Sequence, residues 1–85
     1  MEFQHIWDNI LKHEGAEFYT KTHLPFTYKI KGGCVVPNRT NYPLAKINFE
    51  KAAKMLPLEG PGQINSMVMG PSYVYSLLTD KRIIG

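Results

Sequence analysis

The sequence predicts an α+β domain, a small antiparallel sheet with helices packed on one face. Hydrophobic side chains recur with a helical period near both ends of the chain and with a period of two between them. The 85 residues suffice for one compact domain and are too few for two. We therefore expect a single domain over residues 1–85, with an N-terminal helix, a β-hairpin or small sheet, and then two or three short helices.

The first helix is predicted over residues 2–13. One apolar stripe with helical spacing runs through Phe3, Ile6, Trp7, Ile10 and Leu11. Gly15 ends the helix, and Lys12 and His13 place positive charge near its C-terminal end, where the helix dipole favours it.

The clearest strand pattern covers residues 26–31. One face is expected to carry Phe26, Tyr28 and Ile30, and the other Thr27, Lys29 and Lys31. A weaker alternation of period two precedes it, from Glu17 to Lys21. Tyr28 is expected to pack in the core because it shares the face of Phe26 and Ile30.

A hairpin turn is predicted at Gly32-Gly33, where both residues must adopt positive φ. The return strand is then residues 34–36, which places Lys31 opposite Cys34. Ile30 then lies opposite Val35. Beside valines, Cys34 is expected to be a small buried hydrophobic side chain, and Pro37 ends the strand or marks an edge.

A polar loop, residues 38–43, precedes a short third strand over residues 44–47. The next helix is expected to have Asn48 as its N-cap and to stop at Pro57. Its apolar positions are Phe49, Ala52, Ala53 and Leu56, and Glu50 and Lys54 are spaced to form a pair.

Two more helices are predicted near the C-terminus. Pro61 begins a short one whose inward residues are Ile64, Met67 and Val68. Gly70-Pro71-Ser72 interrupts it, and a last helix that ends near Asp80 carries Tyr73, Val74, Leu77 and Leu78 inward.

Composition narrows the functional classes. No apolar run approaches the length of a membrane span, and the N-terminal residues lack the pattern of a secretory signal. A lone cysteine makes no internal disulfide, so we expect a cytoplasmic protein without membrane association. His5, His13, His23 and Cys34 show no zinc-ligand spacing, and no phosphate-binding glycine loop is present. We expect no metal, no cofactor and no catalytic residues.

Charge is distributed unevenly along the chain. Residues 1–17 have a net charge of −3, whereas residues 18–56, here called the basic block, have a net charge of +6. A basic stripe is typical of nucleic-acid binding, although lysines also simply solvate small domains. Within the block, Arg39 is the first candidate, because a planar bidentate donor suits phosphate or guanine. A hydrogen bond that stabilises its own loop is the alternative role.

The sequence thus predicts a non-enzymatic module that binds DNA or RNA through a basic hairpin and loop surface. The candidate contact residues are Lys29, Lys31, Arg39, Lys21, Lys46 and Tyr42. The main alternative is a protein-interaction module or homo-oligomer, a homodimer for example, in which the acidic first helix meets the basic block of another copy.

Two further alternatives are weaker. A metal-free nuclease would need a base and cationic groups of the kinds that His23, Arg39, Lys29 and Tyr42 supply. A helix-turn-helix over residues 61–79 would need a polar recognition helix, but the second helix reads as core, with only Lys81 and Arg82 beyond it to meet phosphate.

Two segments, residues 24–32 (LPFTYKIKG) and residues 70–83 (GPSYVYSLLTDKRI), resemble those of small, mostly uncharacterised bacterial proteins of mobile elements, such as integron cassettes. The resemblance covers most of the chain, from Trp7 to Ile83. It implies a stand-alone α+β domain in a bacterial cytoplasm and carries no catalytic motif.

Overall fold

The structure is a computed structural model that describes residues 2–40 and 42–85. Asn41, in the predicted polar loop, lies outside the described residues. The predicted α+β class is confirmed, because an N-terminal helix precedes two small antiparallel sheets and further helices follow them. Within the described residues, no helix is both long and apolar enough to cross a membrane.

The helices and strands are short. The helices are α1 (Phe3–Lys12), α2 (Lys46–Ala53), α3 (Pro71–Leu78) and α4 (Lys81–Ile84), with a 3₁₀ helix at Pro61–Ile64. The strands are β1 (Phe18–Tyr19), β2 (Pro25–Phe26), β3 (Tyr28–Lys31), β4 (Cys34–Pro37) and β5 (Leu44–Ala45). β1 pairs with β2, and the second sheet has the order β3-β4-β5, with every pairing antiparallel.

The first helix and the hairpin are confirmed. In the hairpin, Lys31 lies opposite Cys34 and Ile30 lies opposite Val35, as the turn position requires. Gly32 and Gly33 have φ angles of 58° and 77°, the left-handed pair that a two-residue hairpin turn favours.

The prediction of one continuous strand over residues 26–31 was wrong. Phe26 belongs to β2 and pairs with Phe18, whereas β3 begins at Tyr28 in the other sheet. Between them, the Thr27 backbone N–H donates to Asn38 Oδ1 (3.0 Å), and the Thr27 carbonyl accepts from the Asn38 N–H (2.9 Å). These two hydrogen bonds hold Thr27 against the start of the polar loop, so the chain passes from one sheet to the next there.

The third strand is shorter than predicted, and the helix after it begins earlier. β5 ends at Ala45, and α2 begins at Lys46, so Asn48 is not its N-cap. Asn48 instead makes one local and one tertiary contact: its Nδ2 donates to the Ala45 carbonyl (3.3 Å), and its Oδ1 accepts from the Met69 N–H (3.1 Å).

The end of that helix also differs from the prediction. α2 ends at Ala53, which leaves Leu56 beyond the helix and before the cis Leu56–Pro57 bond. The predicted ion pair of Glu50 and Lys54 is not formed. Asp80 and Arg82 make the one ion pair found within the described residues.

At the C-terminus, Pro61 begins a 3₁₀ helix and Ile64 is buried, as predicted. Met67 was expected to point inward, but it is 38% exposed. The last predicted helix, α3, is followed by a further short helix, α4, that was not predicted. α3 ends at Leu78, and the Asp80 carboxylate accepts the Arg82 N–H (2.8 Å) as the N-cap of α4.

One core joins these elements. Its fully buried larger side chains include Ile6, Ile10, Phe18, Phe26, Tyr28, Leu44, Phe49, Ile64, Leu77, Leu78 and Ile83. The expected core position of Tyr28 is confirmed, and its hydroxyl donates to the Ile10 carbonyl at 2.6 Å. Because Tyr28 and Val35 contribute to this core, Lys29 and Lys31 lie on the opposite, exposed face of the β3–β4 hairpin.

Candidate nucleic-acid interface

Lys29 and Lys31 lie side by side on the outer face of the hairpin. Lys29 is directly opposite Val36, and Lys31 is directly opposite Cys34. Because directly opposed residues share a face of the sheet, the two exposed lysines stand beside the half-buried side chains of β4. The outer face is therefore basic along β3 and mildly apolar along β4.

A shallow depression of about 410 Å³ lies along this face, here called the hairpin depression. Besides the two lysines and Val36, its lining includes the side chains of Thr27, Asn38 and Thr40. These are neutral hydrogen-bonding groups of the kind that contact phosphate and sugar oxygens. The hairpin depression thus combines two cations with uncharged polar groups.

Arg39 lines a second depression of about 260 Å³, here called the loop cleft. Its lining includes Lys21, Leu24, Ser72 and Tyr73. The Arg39 side chain is exposed, and no hydrogen bond or ion pair of its guanidinium is found with residues 2–40 or 42–85. Within those residues, nothing supports the alternative that Arg39 serves to stabilise its own loop.

The loop cleft and the hairpin depression adjoin through residues 38–40. Asn38 and Thr40 line the hairpin depression, whereas Arg39 between them lines the loop cleft. The structure therefore brings four of the six predicted contact residues to two neighbouring depressions. The four are Lys21, Lys29, Lys31 and Arg39.

Lys21 reaches the loop cleft from the turn between β1 and β2. Its Nζ donates to the Glu59 carbonyl at 3.3 Å and lies 6.0 Å from the centroid of the Tyr75 ring. The turn itself is held by Thr20, whose N–H donates to the Leu24 carbonyl (3.0 Å) and whose Oγ1 accepts the Leu24 N–H (3.1 Å).

The other two predicted contact residues lie apart from these depressions. Lys46 Nζ is 5.7 Å from the centroid of the Trp7 ring, a cation–π contact that ties the start of α2 to α1. Tyr42 is 45% exposed but lines neither depression.

Arg82 was considered as a phosphate contact only in the weaker helix-turn-helix alternative. Its Nε and one terminal nitrogen donate to the two Asp80 oxygens at 3.0 and 2.9 Å, and that terminal nitrogen also reaches the Glu17 carbonyl at 3.0 Å. These hydrogen bonds hold the pKa of Asp80 below its ordinary value. The α3 face that would have to read bases is instead buried, with Val74, Leu77 and Leu78 in the core.

Cys34 is half-buried, so the prediction of a buried cysteine was wrong. The reason is its register, because it lies opposite Lys31 and Ala45 on the outer face of the sheet. Among the described residues, no cluster of three or more histidine, cysteine, aspartate or glutamate side chains is placed to hold a metal ion.

The sequence did not predict which residues from distant segments line the loop cleft. Tyr73 was predicted to lie on an inward helix face, and nothing in the local pattern indicated that it meets Leu24. Comparison of the chain with protein-family models, curated proteins and solved structures found no match. The resemblance to bacterial mobile-element proteins stays a prediction.

Proposed function

We propose that this protein is a non-enzymatic module that binds nucleic acid through the hairpin depression and the loop cleft. The observation that carries the proposal is the placement of Lys29 and Lys31 on one strand face, with Arg39 across the loop of residues 38–40. None of the three has an acidic partner within the described residues. Unpaired like charges repel one another, and a polyanion relieves that repulsion.

The chemistry of the hairpin depression favours phosphate over base contacts. Alternate residues of a strand are about 6.6 Å apart. Lys29 and Lys31 are therefore spaced to contact successive phosphates of a nucleic-acid strand. Thr27, Asn38 and Thr40 add neutral groups for phosphate and sugar oxygens. Because these contacts carry no sequence information, we expect weak sequence preference and strong salt dependence.

Self-association through the acidic N-terminal segment is the second candidate, and the contacts favour it less. Glu14 Oε2 accepts the Ile30 N–H (2.8 Å), and Glu17 Oε1 accepts the Tyr19 hydroxyl (2.7 Å). Asp8 accepts from Gln4 at 2.8 Å. Three of the four acidic side chains in residues 1–17 are therefore engaged within their own chain.

Fluorescence anisotropy with labelled duplex DNA and single-stranded RNA, over a series of salt concentrations, tests the proposal. We expect micromolar binding that weakens steeply with salt. The double variant Lys29→Gln with Lys31→Gln should lower the slope of log K against log salt by about 0.9 per lysine on duplex DNA and about 0.7 on a single strand.

The matched control is Lys51→Gln with Lys54→Gln, which removes the same charge from exposed positions of α2 and the residue after it. If both double variants lose affinity equally, binding is unspecific attraction to net charge, and the assigned surface is wrong. No binding of the wild type even at low salt overturns the proposed function. Light scattering measures the molar mass of each variant. A change of mass in the Lys29→Gln, Lys31→Gln variant alone would favour self-association.

Cys34 provides an internal reporter of the same surface. Because it lies beside Lys31 on the outer face, bound nucleic acid should slow thiol labelling of the folded protein. An unchanged labelling rate at saturating nucleic acid would place the contact elsewhere.

A further inference from the structure

We propose that the loop cleft holds one unpaired base, so that the protein selects single-stranded nucleic acid over duplex. This inference rests on the proposed function, since it names the class of nucleic acid that the basic surface selects. It adds a stacking site to the phosphate contacts of the hairpin depression.

An aromatic and an aliphatic side chain supply the stacking surface. The Tyr73 ring is half-buried and lies edge-to-face against the buried Phe26 ring, with centroids 5.0 Å apart and planes at 76°. That contact fixes the orientation of the tyrosine ring. Leu24, on another wall of the cleft, is 47% exposed. Aromatic side chains stack on unpaired bases without regard to sequence, and Leu24 adds an exposed apolar surface against which a base can pack.

Two cationic side chains lie beside this stacking surface. Lys21 and Arg39 line the same cleft as Tyr73. Thr22 and Ser72 are exposed in its lining and carry hydroxyl groups that can donate to or accept from base edges. The cleft therefore offers stacking, charge and hydrogen bonding within one small volume.

The turn that carries Lys21, Thr22 and Leu24 is held in a defined shape. Thr20 is buried at the start of the turn and bonds to both backbone groups of Leu24, and its carbonyl also accepts the His23 N–H at 2.8 Å. His23 has a φ of 66°, a left-handed conformation that non-glycine residues seldom adopt. A turn held this firmly loses little conformational freedom when a ligand binds.

Size and shape disfavour a duplex. The cleft volume of about 260 Å³ lies just below the roughly 300–1,000 Å³ of pockets that hold drug-sized ligands, so the cleft suits one base rather than a base pair. Reading a duplex major groove requires an exposed polar helix or ribbon. The exposed polar ribbon here is the β3–β4 hairpin, and a duplex that met its Lys29 and Lys31 would leave the loop cleft empty.

The test compares four labelled 12-nucleotide probes in anisotropy: single-stranded DNA, the same strand as RNA, its duplex, and a DNA strand in which every base is replaced by an abasic site. We expect either single strand with bases to bind about five- to a hundredfold more tightly than the abasic strand. The duplex should bind less tightly than either single strand with bases, because its bases cannot enter the cleft. The RNA and DNA arms show whether the 2′-hydroxyl contributes.

Variants then assign the preference to the cleft. Leu24→Ser and Tyr73→Ala should each reduce at least threefold the ratio of the affinity for the normal strand to the affinity for the abasic strand. Tyr73→Phe keeps the ring and serves as the conservative control. Arg39→Gln and the hairpin double variant should weaken all probes together. Because Tyr73→Ala also removes a contact with Phe26, its fold is checked by near-ultraviolet circular dichroism, and the exposed Leu24 provides the independent test.

The outcomes separate the two proposals. Equal binding of normal and abasic strands, or a base preference that survives both cleft variants, overturns the stacking site and leaves the proposed function intact. Tighter binding of the duplex than of the single strands with bases also overturns the stacking site and leaves the proposed function intact. If none of the four probes binds at low salt, the proposed function and this inference both fail.

Discussion

The guanidinium carbon of Arg82 lies 3.9 Å from the centroid of the Phe18 ring. The same guanidinium binds Asp80 and the Glu17 carbonyl, so one side chain joins α4 to the strand that begins the first sheet. Phe18 is fully buried, and Arg82 forms part of its outer cover. Asn9 Nδ2, which donates to the Ile83 carbonyl at 2.8 Å, attaches the same short helix to α1.

Replacing Arg82 should therefore loosen the C-terminus. Arg82→Gln removes a cation–π contact and the hydrogen bonds to Glu17 and Asp80, and we expect a loss of about 1–2 kcal/mol in the free energy of unfolding. Urea denaturation measures it. The neighbouring Lys81→Gln is the matched control, and an equal loss there would contradict the assignment.

The Asp80 contact also predicts an acid dependence. Hydrogen bonding by Arg82 lowers the pKa of Asp80 in the folded protein, so this stabilisation is present above the ordinary value of 3.8 and is lost as the pH falls below it. Melting temperatures between pH 7 and 3 should fall less steeply in Arg82→Gln than in the wild type. Parallel curves would refute the coupling.

Tyr28 predicts the opposite dependence at high pH. Burial raises the pKa of its hydroxyl above the ordinary value of 10.0, because the phenolate would lie in the core. Stability from the neutral hydroxyl is present below pH 10 and is lost as the pH rises beyond it. Tyr28→Phe should weaken this alkaline loss, and at pH 7 it should cost about 1–3 kcal/mol because the Ile10 carbonyl loses its donor.

Chemical denaturation of wild type and Tyr28→Phe at pH 7 and pH 10.5 separates the two effects. Tyr19→Phe is the control, because Tyr19 is 54% exposed and its removal should weaken the alkaline loss less than the removal of Tyr28 does. A larger alkaline loss in Tyr28→Phe than in the wild type would contradict the prediction.

Glu14 protects the open edge of the second sheet. Its carboxylate accepts the outward N–H of Ile30 on β3, which is otherwise a template for pairing with another chain. Glu14→Ala should cost less than about 1 kcal/mol but increase self-association at high protein concentration, measured by light scattering. Glu14→Gln retains an accepting oxygen and should remain close to wild type. Unchanged mass in the alanine variant would show that the edge needs no cover.

Gly70 tolerates no side chain. Its φ is 61°, and a Cβ there would lie 2.8 Å from Leu44 Cδ2 in the core. Gly70→Ala combines left-handed strain with overpacking, and we expect a loss of about 2–4 kcal/mol. Gly62, which has no atom within 4 Å of the corresponding position, provides the control Gly62→Ala. Thermal unfolding measures both, and similar stabilities of the two variants would overturn the explanation.

Much of the fold was predictable because its determinants are local. The stripe from Phe3 to Leu11 needs only helical geometry, and the Gly32-Gly33 turn sets the register of its own hairpin. The split at Thr27 was not predictable, because it depends on Asn38, eleven residues away. The start of α2 was not predictable for the same reason, since Asn48 bonds to the distant Met69 rather than capping the helix.

The candidate site divides in the same way. Lys29 and Lys31 were predictable as a pair, because strand alternation decides which face they share. The loop cleft was not, because Leu24, Arg39 and Tyr73 come from three segments that only packing brings together.

The sequence by itself determined the fold class, the hairpin register and the basic character of the outer face, since these follow from periodicity, turn chemistry and charge. Tertiary structure decided which cations are available. It placed Lys46 over Trp7 and bound Arg82 to Asp80, and it left Arg39 without a partner among the described residues. The physical reason is that a charged side chain is neutralised by neighbours in space, and spatial neighbours are set by long-range packing rather than by local pattern.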